Sequence, residues 1–363
     1  MNITIIAGAR PNFMKIAPII HEIIEQQKIG VNINYRLVHT GQHYDKNLSD
    51  TFFDELNIPL PHINLEVKSG TQAEQTGAIM TAFEKELENY PTDLVLVVGD
   101  VTSTMACTIV AKKANIKVTH VEAGIRSGDM KMPEEINRMV TDSITDYFFT
   151  TSVLASENLK HSGINNKRIF FVGNVMIDTL LSNINRIKKP SFWDDLNLEK
   201  QNYFVLTLHR PSNVDAEKEL KELINTIVKN CNGKPIIFPV HPRTKKLLEG
   251  LNINFDNLHF VNPQGYLAFI YLVKNSTAVL TDSGGITEEA TVLNVPCITF
   301  RDSTERPETC TLGTNILVGN DLNKINTAFN TLNLKNWKQA KIPELWDGNA
   351  SKRIVSHILA LYA

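Results

Sequence analysis

The sequence predicts an α/β chain built from two Rossmann-like doubly wound domains. Three observations predict it: short β-branched runs alternate with stretches long enough for crossover helices, the alternation comes in two successive series, and the unusual polar residues gather where the runs end. With 363 residues, 42% hydrophobic and 21% charged, the chain is long enough to bury two cores.

The first series is Ile3–Ala7, Tyr35–Thr40, Leu94–Val98, Lys117–Val121, Tyr147–Thr151 and Arg168–Val172, each reading as a buried parallel strand. After Asn174 the pattern weakens through a polar stretch, Ser182 to Lys200. It resumes with Tyr203–Leu208, Pro235–Val240, His259–Val261, Ala278–Thr281 and Val295–Phe300. The expected domains are therefore 1–174 and 175–350, with the boundary within about ten residues of Asn174. Ile354, Val355, Ile358 and Leu359 recur at helical spacing, so residues 351–363 fit a helix that packs back on the first domain. Doubly wound sheets bind ligands at the carboxyl ends of their strands, which makes a cleft between the domains the expected site.

Composition excludes several functions. A formal net charge of −2 gives no general attraction for nucleic acid or an anionic membrane, so phosphate would have to meet a local site. No run approaches the roughly 20 apolar residues of a membrane span, and no basic segment precedes an apolar one at the start; a cytoplasmic protein is expected. Cys107, Cys231, Cys297 and Cys310 form no CxxC pair, which argues against a structural zinc site and a disulfide framework.

The strand ends carry the chemistry. Arg10 and Lys15 lie at the start of a helix expected near Pro11, where two cations oppose the helix dipole and an anion such as a pyrophosphate would relieve them; solvation or a nearby carboxylate is the bland alternative. Thr281-Asp282-Ser283-Gly284-Gly285 runs from a strand into a helix expected over Ile286 to Leu293, either as a phosphate-accepting turn or as an ordinary one capped by Asp282 or Ser283. Glu288 or Glu289 there suits ribose hydroxyls, and Arg301 and Arg306 suit phosphates. His209-Arg210 and His241-Pro242-Arg243 close two adjacent strands and fit phosphate binding and proton transfer. Asp100 and Glu122 end neighbouring strands about 4.8 Å apart, close enough to share a proton, while Glu134 opens a helix with Arg138 four residues on as an alternative partner. No metal-ligand spacing is visible, so neither a metal nor another cofactor is expected.

Nine motifs in order, GARPNFMKIAP, TGQH, GDVTST, HVEAGIRSGD, PEEINR, LHRPSNVD, PVHPR, LTDSGGITEEA and RDSTERPE, resemble those of the non-hydrolysing UDP-N-acetylglucosamine 2-epimerases over essentially the whole chain. The resemblance implies the paired Rossmann architecture called GT-B and a homodimer. It also implies a UDP-N-acetylhexosamine substrate, bound without a cofactor and epimerised at C2 to supply precursors for surface polysaccharide. By resemblance, Arg10, Lys15, His209, Ser283, Gly284, Gly285, Glu289 and Arg306 bind UDP, Gln264 and Phe269 surround the uracil, and Asp100, Glu122, Glu134 and His209 are catalytic. The chain departs from the family at Ala9 and Asn12, where GTRPE is common, and at Leu208 to Asn213, where GHRREN is common. Ser69 and Gly70 stand where bacterial members carry an Arg-Gln pair for a second, activating UDP-sugar. Relatives acting on diacetamido-uronic acids or 6-deoxy sugars are an alternative reading, and a GT-B glycosyltransferase or a UDP-sugar-binding regulator are others.

Overall fold

The computed structural model describes residues 1–41, 53–210, 213, 217–240, 248, 250, 253 and 255–362, and for Arg10 the main chain alone. The chain divides into two compact units, Met1–Ser182 with Glu344–Ala363 and Asn183–Pro343.

In unit 1, β1 (Asn2–Ala7), β2 (Asn34–His39), β3 (Ile63–Asn64), β4 (Leu94–Val98), β5 (Lys117–Val121), β6 (Tyr147–Thr150) and β7 (Ile169–Phe171) form one parallel sheet in the order β3-β2-β1-β4-β5-β6-β7. The continuous apolar run of β4, buried at every residue, is what a strand covered on both faces requires. Helices α1 (Arg10–Lys28), α2 (Gln72–Asn89), α3 (Thr102–Lys113), α4 (Pro133–Ile144) and α5 (Val153–His161) connect the strands, and α6 (Val175–Asn183) follows β7. Thr71 and Glu74 start α2 as a reciprocal capping box, the Thr71 amide donating to Glu74 and the Glu74 amide to the Thr71 hydroxyl, at 2.9 and 3.3 Å.

In unit 2, β8 (Phe204–Thr207), β9 (Ile236–Pro239), β10 (Leu258–Val261), β11 (Ala278–Thr281), β12 (Cys297–Thr299) and β13 (Asn315–Leu317) are ordered β10-β9-β8-β11-β12-β13, again parallel. Its helices are α7 (Glu217–Asn230), α8 (Tyr266–Asn275), α9 (Gly284–Val292), α10 (Pro307–Thr311) and α11 (Leu322–Asn333). Its core packs Phe204, Leu206, Phe238, Leu280, Phe300 and Phe329 with their neighbours. The expected fold class is the observed one. The two-residue β3 and three-residue β13 are additions at sheet edges.

The chain then returns to unit 1 as α12 (Ala350–Leu361), which packs on α1. Asp178 of α6 caps α12 by accepting from the Ala350 and Ser351 amides at 3.0 and 2.7 Å and from the Ser351 hydroxyl at 2.7 Å. The Trp346 indole N–H donates to the Thr151 carbonyl at 3.0 Å. Among the described residues no helix is long and apolar enough to cross a membrane.

Both sheets reverse their strand order once, between β1 and β4 and between β8 and β11. Such a reversal splays the flanking loops apart and leaves a crevice at the carboxyl ends of the two strands.

Candidate functional site

In unit 1 the crevice is lined by the turns after β1, β4 and β5. Asn12, in the first turn of α1, accepts from the Gly8 and Ala9 amides at 3.0 and 2.9 Å and donates to the Val98 carbonyl at 3.2 Å, tying the β1 turn to the end of β4. A glutamate there could accept from the amides but not donate to Val98, so the departure at Asn12 has a local physical role. Lys15 forms an ion pair with the buried Glu122. Gly99, at φ 68°, makes room for that pair: a Cβ there would lie 3.1 Å from Lys15 Nζ and 3.3 Å from a Glu122 oxygen. The anion that Lys15 meets is therefore Glu122, reached through folding. Glu122 itself is left-handed at φ 70°, a conformation costly for a residue with a side chain.

Asp100 has its own cation. Arg138 Nε and Nη2 donate to one Asp100 oxygen at 3.0 and 2.5 Å, and Asn137 donates to the Asp100 carbonyl at 2.8 Å. Arg138 also donates to Glu135 at 2.8 Å, so it turns to Asp100 and Glu135 and away from the expected pairing with Glu134. Glu134, half-buried in the first turn of α4, has no partner among the described residues. Asp100 and Glu122 do end adjacent paired strands, but each is engaged by its own cation.

Beneath these turns lies a network that the sequence did not reveal. His120 donates through Nε2 to the Gly99 carbonyl at 2.8 Å and meets Asp142 through Nδ1 at 2.8 Å. Asp142 also accepts from the Gly124 amide at 3.1 Å and from Arg126 at 2.6 Å. Burial opposes ionisation of Asp142, but His120 and Arg126 outweigh it and hold the carboxyl below its usual range. Glu135 gathers the Ser127 amide and hydroxyl and the Gly128 amide at 2.8, 2.9 and 3.2 Å. The one local signal was a histidine inside an otherwise buried strand.

In unit 2 the crevice centres on Asp282, fully buried, whose carboxylate meets His209 Nδ1 at 2.6 Å while the His209 side chain stays 62% exposed. Asp282 also accepts from the His209 and Arg210 amides, at 3.0 and 2.9 Å, and from Asn213 at 3.1 Å. Burial pushes its pKa up, yet the His209 imidazole and those amides bring it below the usual value. Asp282 thus bridges β11 to the turn after β8, and the side chain of Ser283, the N-cap residue of α9, makes no capping bond. The start of α9 is open: Gly285 is exposed and nothing lies within 4 Å of where its Cβ would be. That leaves α9's first amides and the positive end of its dipole available to an anion.

The cations around this turn are paired with carboxylates. Arg306, buried, bonds Glu288. Arg301 donates to Glu305 at 2.7 Å, and Arg210 approaches the same carboxylate at 3.8 Å. Glu289 accepts from the Tyr266 hydroxyl at 3.0 Å; burial, with the nearby Glu288 charge, pushes its carboxyl up to about 8. Gln264 donates to the Asn262 carbonyl at 2.7 Å, and Phe269 is half-buried against the Trp193–Tyr203 and Val273–Val279 clusters. Among the described residues no group of three or more His, Cys, Asp or Glu is placed to hold a metal ion.

A sequence model of the family described as UDP-N-acetylglucosamine 2-epimerase matches residues 25–359. The chain belongs to that family. It is 43% identical over 369 residues to the UDP-N-acetylglucosamine 2-epimerase of Methanocaldococcus jannaschii, covering 98% of each chain. It is 40% identical over 323 residues, 88% of each chain, to the UDP-2,3-diacetamido-2,3-dideoxy-D-glucuronate 2-epimerase of Pseudomonas aeruginosa. The crystal structure of the M. jannaschii UDP-GlcNAc 2-epimerase in complex with UDP-GlcNAc and UDP superposes with a TM-score of 0.87 at 42% identity, over 99% of this chain and all of that one. Of the positions that the epimerase resemblance singles out, Gln42, His43, Pro211, Ser212, Val214, Asp215, His241, Pro242, Arg243 and the Arg10 side chain lie outside the described residues.

Proposed function

We propose that the chain is an isomerase that inverts C2 of UDP-N-acetylglucosamine, interconverting it with UDP-N-acetylmannosamine. C2 of this sugar bears no carbonyl, so its proton is not acidic enough for simple abstraction and return. Elimination answers that difficulty: a carboxylate takes the C2 proton as the C1–O bond to UDP breaks in the anti sense, leaving 2-acetamidoglucal. UDP then adds back to C1 while C2 accepts a proton on the opposite face. Ser283, Gly284, Gly285, Arg306, His209, Arg10 and Lys15 stabilise the departing diphosphate, and Glu289, Gln264 and Phe269 hold the nucleoside. Asp100, Glu122 and Glu134 divide the proton transfers, and His209, oriented by Asp282, assists the leaving group.

The observation that carries this reading is Glu122. A buried carboxylate in a left-handed turn, contacted by an ammonium at a strand's carboxyl end, stands beside the switch point of a chain 42% identical to an epimerase solved with UDP-GlcNAc and UDP. The test is incubation with UDP-N-acetylglucosamine alone in D₂O, followed by NMR. The expected product is the manno epimer carrying deuterium at C2, with some free UDP and 2-acetamidoglucal after long incubation. A manno product without deuterium would overturn the elimination route, and no manno product would overturn the substrate. The Pseudomonas relative favours a second reading, a diacetamido-uronate substrate. Faster turnover of UDP-2,3-diacetamido-2,3-dideoxy-D-glucuronate in the same assay would select it.

A further inference from the structure

We propose that His120 and Asp142 act as a positioning pair that holds the two carboxylate-bearing turns of unit 1 in a single geometry. The inference rests on the epimerase reading above. His120 is wholly buried in β5, and its ring bonds the turn after β4 through one nitrogen and Asp142 of α4 through the other. Nε2 donates to the carbonyl of Gly99, the residue before Asp100, at 2.8 Å. Nδ1 meets Asp142, whose second oxygen accepts from the Gly124 amide at 3.1 Å and Arg126 at 2.6 Å, in the turn that begins at Glu122. One imidazole–carboxylate pair therefore fixes the backbone before Asp100 and the backbone after Glu122 together.

The Glu122 turn needs such support. Glu122 is left-handed at φ 70°, a conformation that a side-chain-bearing residue holds only where its surroundings over-determine it, whereas Gly99 adopts φ 68° freely and depends on its neighbours for a single geometry. Asn137 secures the other side of Asp100 through its carbonyl at 2.8 Å, while on the Gly99 side the amide donates to the Val121 carbonyl at 3.0 Å and the carbonyl is held by His120. A reaction in which one carboxyl removes a proton from one face of C2 and another returns it on the opposite face depends on the separation and aim of the two groups. Displacement by about 1 Å lowers such a rate by roughly 10²-fold. His120 and Asp142 touch no reacting atom in this account; they act through Asp100 and Glu122.

The test uses His120→Phe, His120→Gln and Asp142→Asn in the full chain, beside Glu122→Gln. A glutamine amide at position 120 can still reach the Gly99 carbonyl, whereas phenylalanine keeps neither bond. Expected are a kcat lowered roughly 10²-fold in His120→Phe and Asp142→Asn and less in His120→Gln, with KM and UDP affinity within about twofold of wild type. The share of turnovers that end in free 2-acetamidoglucal should rise, because reprotonation falters once elimination has occurred. Should His120→Phe fail to fold, the other two variants decide. Wild-type kcat in folded His120→Phe or Asp142→Asn would overturn the proposal, as would losses of kcat matched by equal losses of UDP affinity, which mark general loosening of unit 1. If wild type turns over and Glu122→Gln does not, while the clamp variants run normally, the epimerase reading stands and only the clamp falls. If wild type epimerises neither UDP-sugar, both fall.

Discussion

The turn after β4 in unit 1 and the turn after β11 in unit 2 occupy the same place in the same strand order, yet they present opposite chemistry. In unit 1 the crevice is filled: Asn12, Lys15, Glu122, Asp100 and Arg138 are bonded to one another's elements, with a second layer of His120, Asp142 and Glu135 behind them. In unit 2 the crevice is open: Gly285, the second residue of α9, is exposed, and His209 reaches outward from a buried aspartate. A filled crevice of fixed carboxylates suits proton transfer, which needs little movement and much precision. An open glycine-led helix start suits an incoming diphosphate. Topology gives the two crevices the same place in each sheet, and the side chains at the strand ends make them chemically different.

That division can be broken experimentally. The largest effect is expected from Glu122→Gln, which should lower kcat by about 10² to 10⁴ while UDP affinity by calorimetry stays within about 1 kcal/mol. Equal losses in both would mean that unit 1 binds the nucleotide as much as it moves protons. Next comes Arg306→Ala, which takes the guanidinium from a buried carboxylate and, on the proposed reading, also removes a phosphate contact. It should cost about 3–5 kcal/mol of stability by denaturant unfolding and about 1.5–3 kcal/mol of UDP affinity. Adding Glu288→Gln should restore most of the stability and none of the affinity; recovery of both would make Arg306 purely structural.

A smaller effect sharpens the contrast. Gly285→Ala has open space for its methyl group and lies in a helix, so stability should hold or rise by up to about 1 kcal/mol. UDP affinity should nevertheless drop about tenfold, or about 1.4 kcal/mol, if the diphosphate approaches the backbone there. Unchanged affinity in a fluorescence titration would move the phosphate elsewhere. The last effect is spread along the pH axis and concerns Glu289, whose folded-state pKa rises from 4.5 to about 8. A carboxyl raised on folding contributes stability in its protonated form, fully present below pH 4.5 and lost as pH climbs toward 8. Glu289→Gln should therefore remove a downward slope of at most about 1.4 kcal/mol per pH unit across that window. An unaltered stability-versus-pH curve would show that Glu289 is ionised throughout.

Much of the fold was legible because parallel strands buried on both faces read as largely apolar runs; β4 and β11 fall on the residues their runs predict. The edge strands Ile63–Asn64 and Asn315–Leu317 were not legible, since two or three residues carry no period and both include a polar asparagine. At the site, sequence position identified which residues end strands but not which partner each meets. Arg138 reads as a helix neighbour of Glu134 because spacing along one helix is all a sequence displays; its contact with Asp100 exists only once α4 packs on α3, beside the turn after β4. Asp282 reads as a cap for the same reason and proves to be a bridge to β8's turn. His120 and Asp142 are 22 residues apart, and nothing local links them.

The return of the chain to unit 1 bears on how the protein is made. Residues 183–343 leave the ribosome before α12 does, so unit 2 has every strand and helix it needs while unit 1 still lacks the helix that covers α1 and the indole that bonds Thr151. During synthesis the half that begins first is finished last. Until α12 emerges, Asp178 has no amides to accept from, and the apolar face of α1 that α12 covers is open to the nascent chain's surroundings. A translational pause or truncation late in the message, far from any residue of the crevice in unit 1, would thus leave that unit unfinished and exposed to chaperones and proteases.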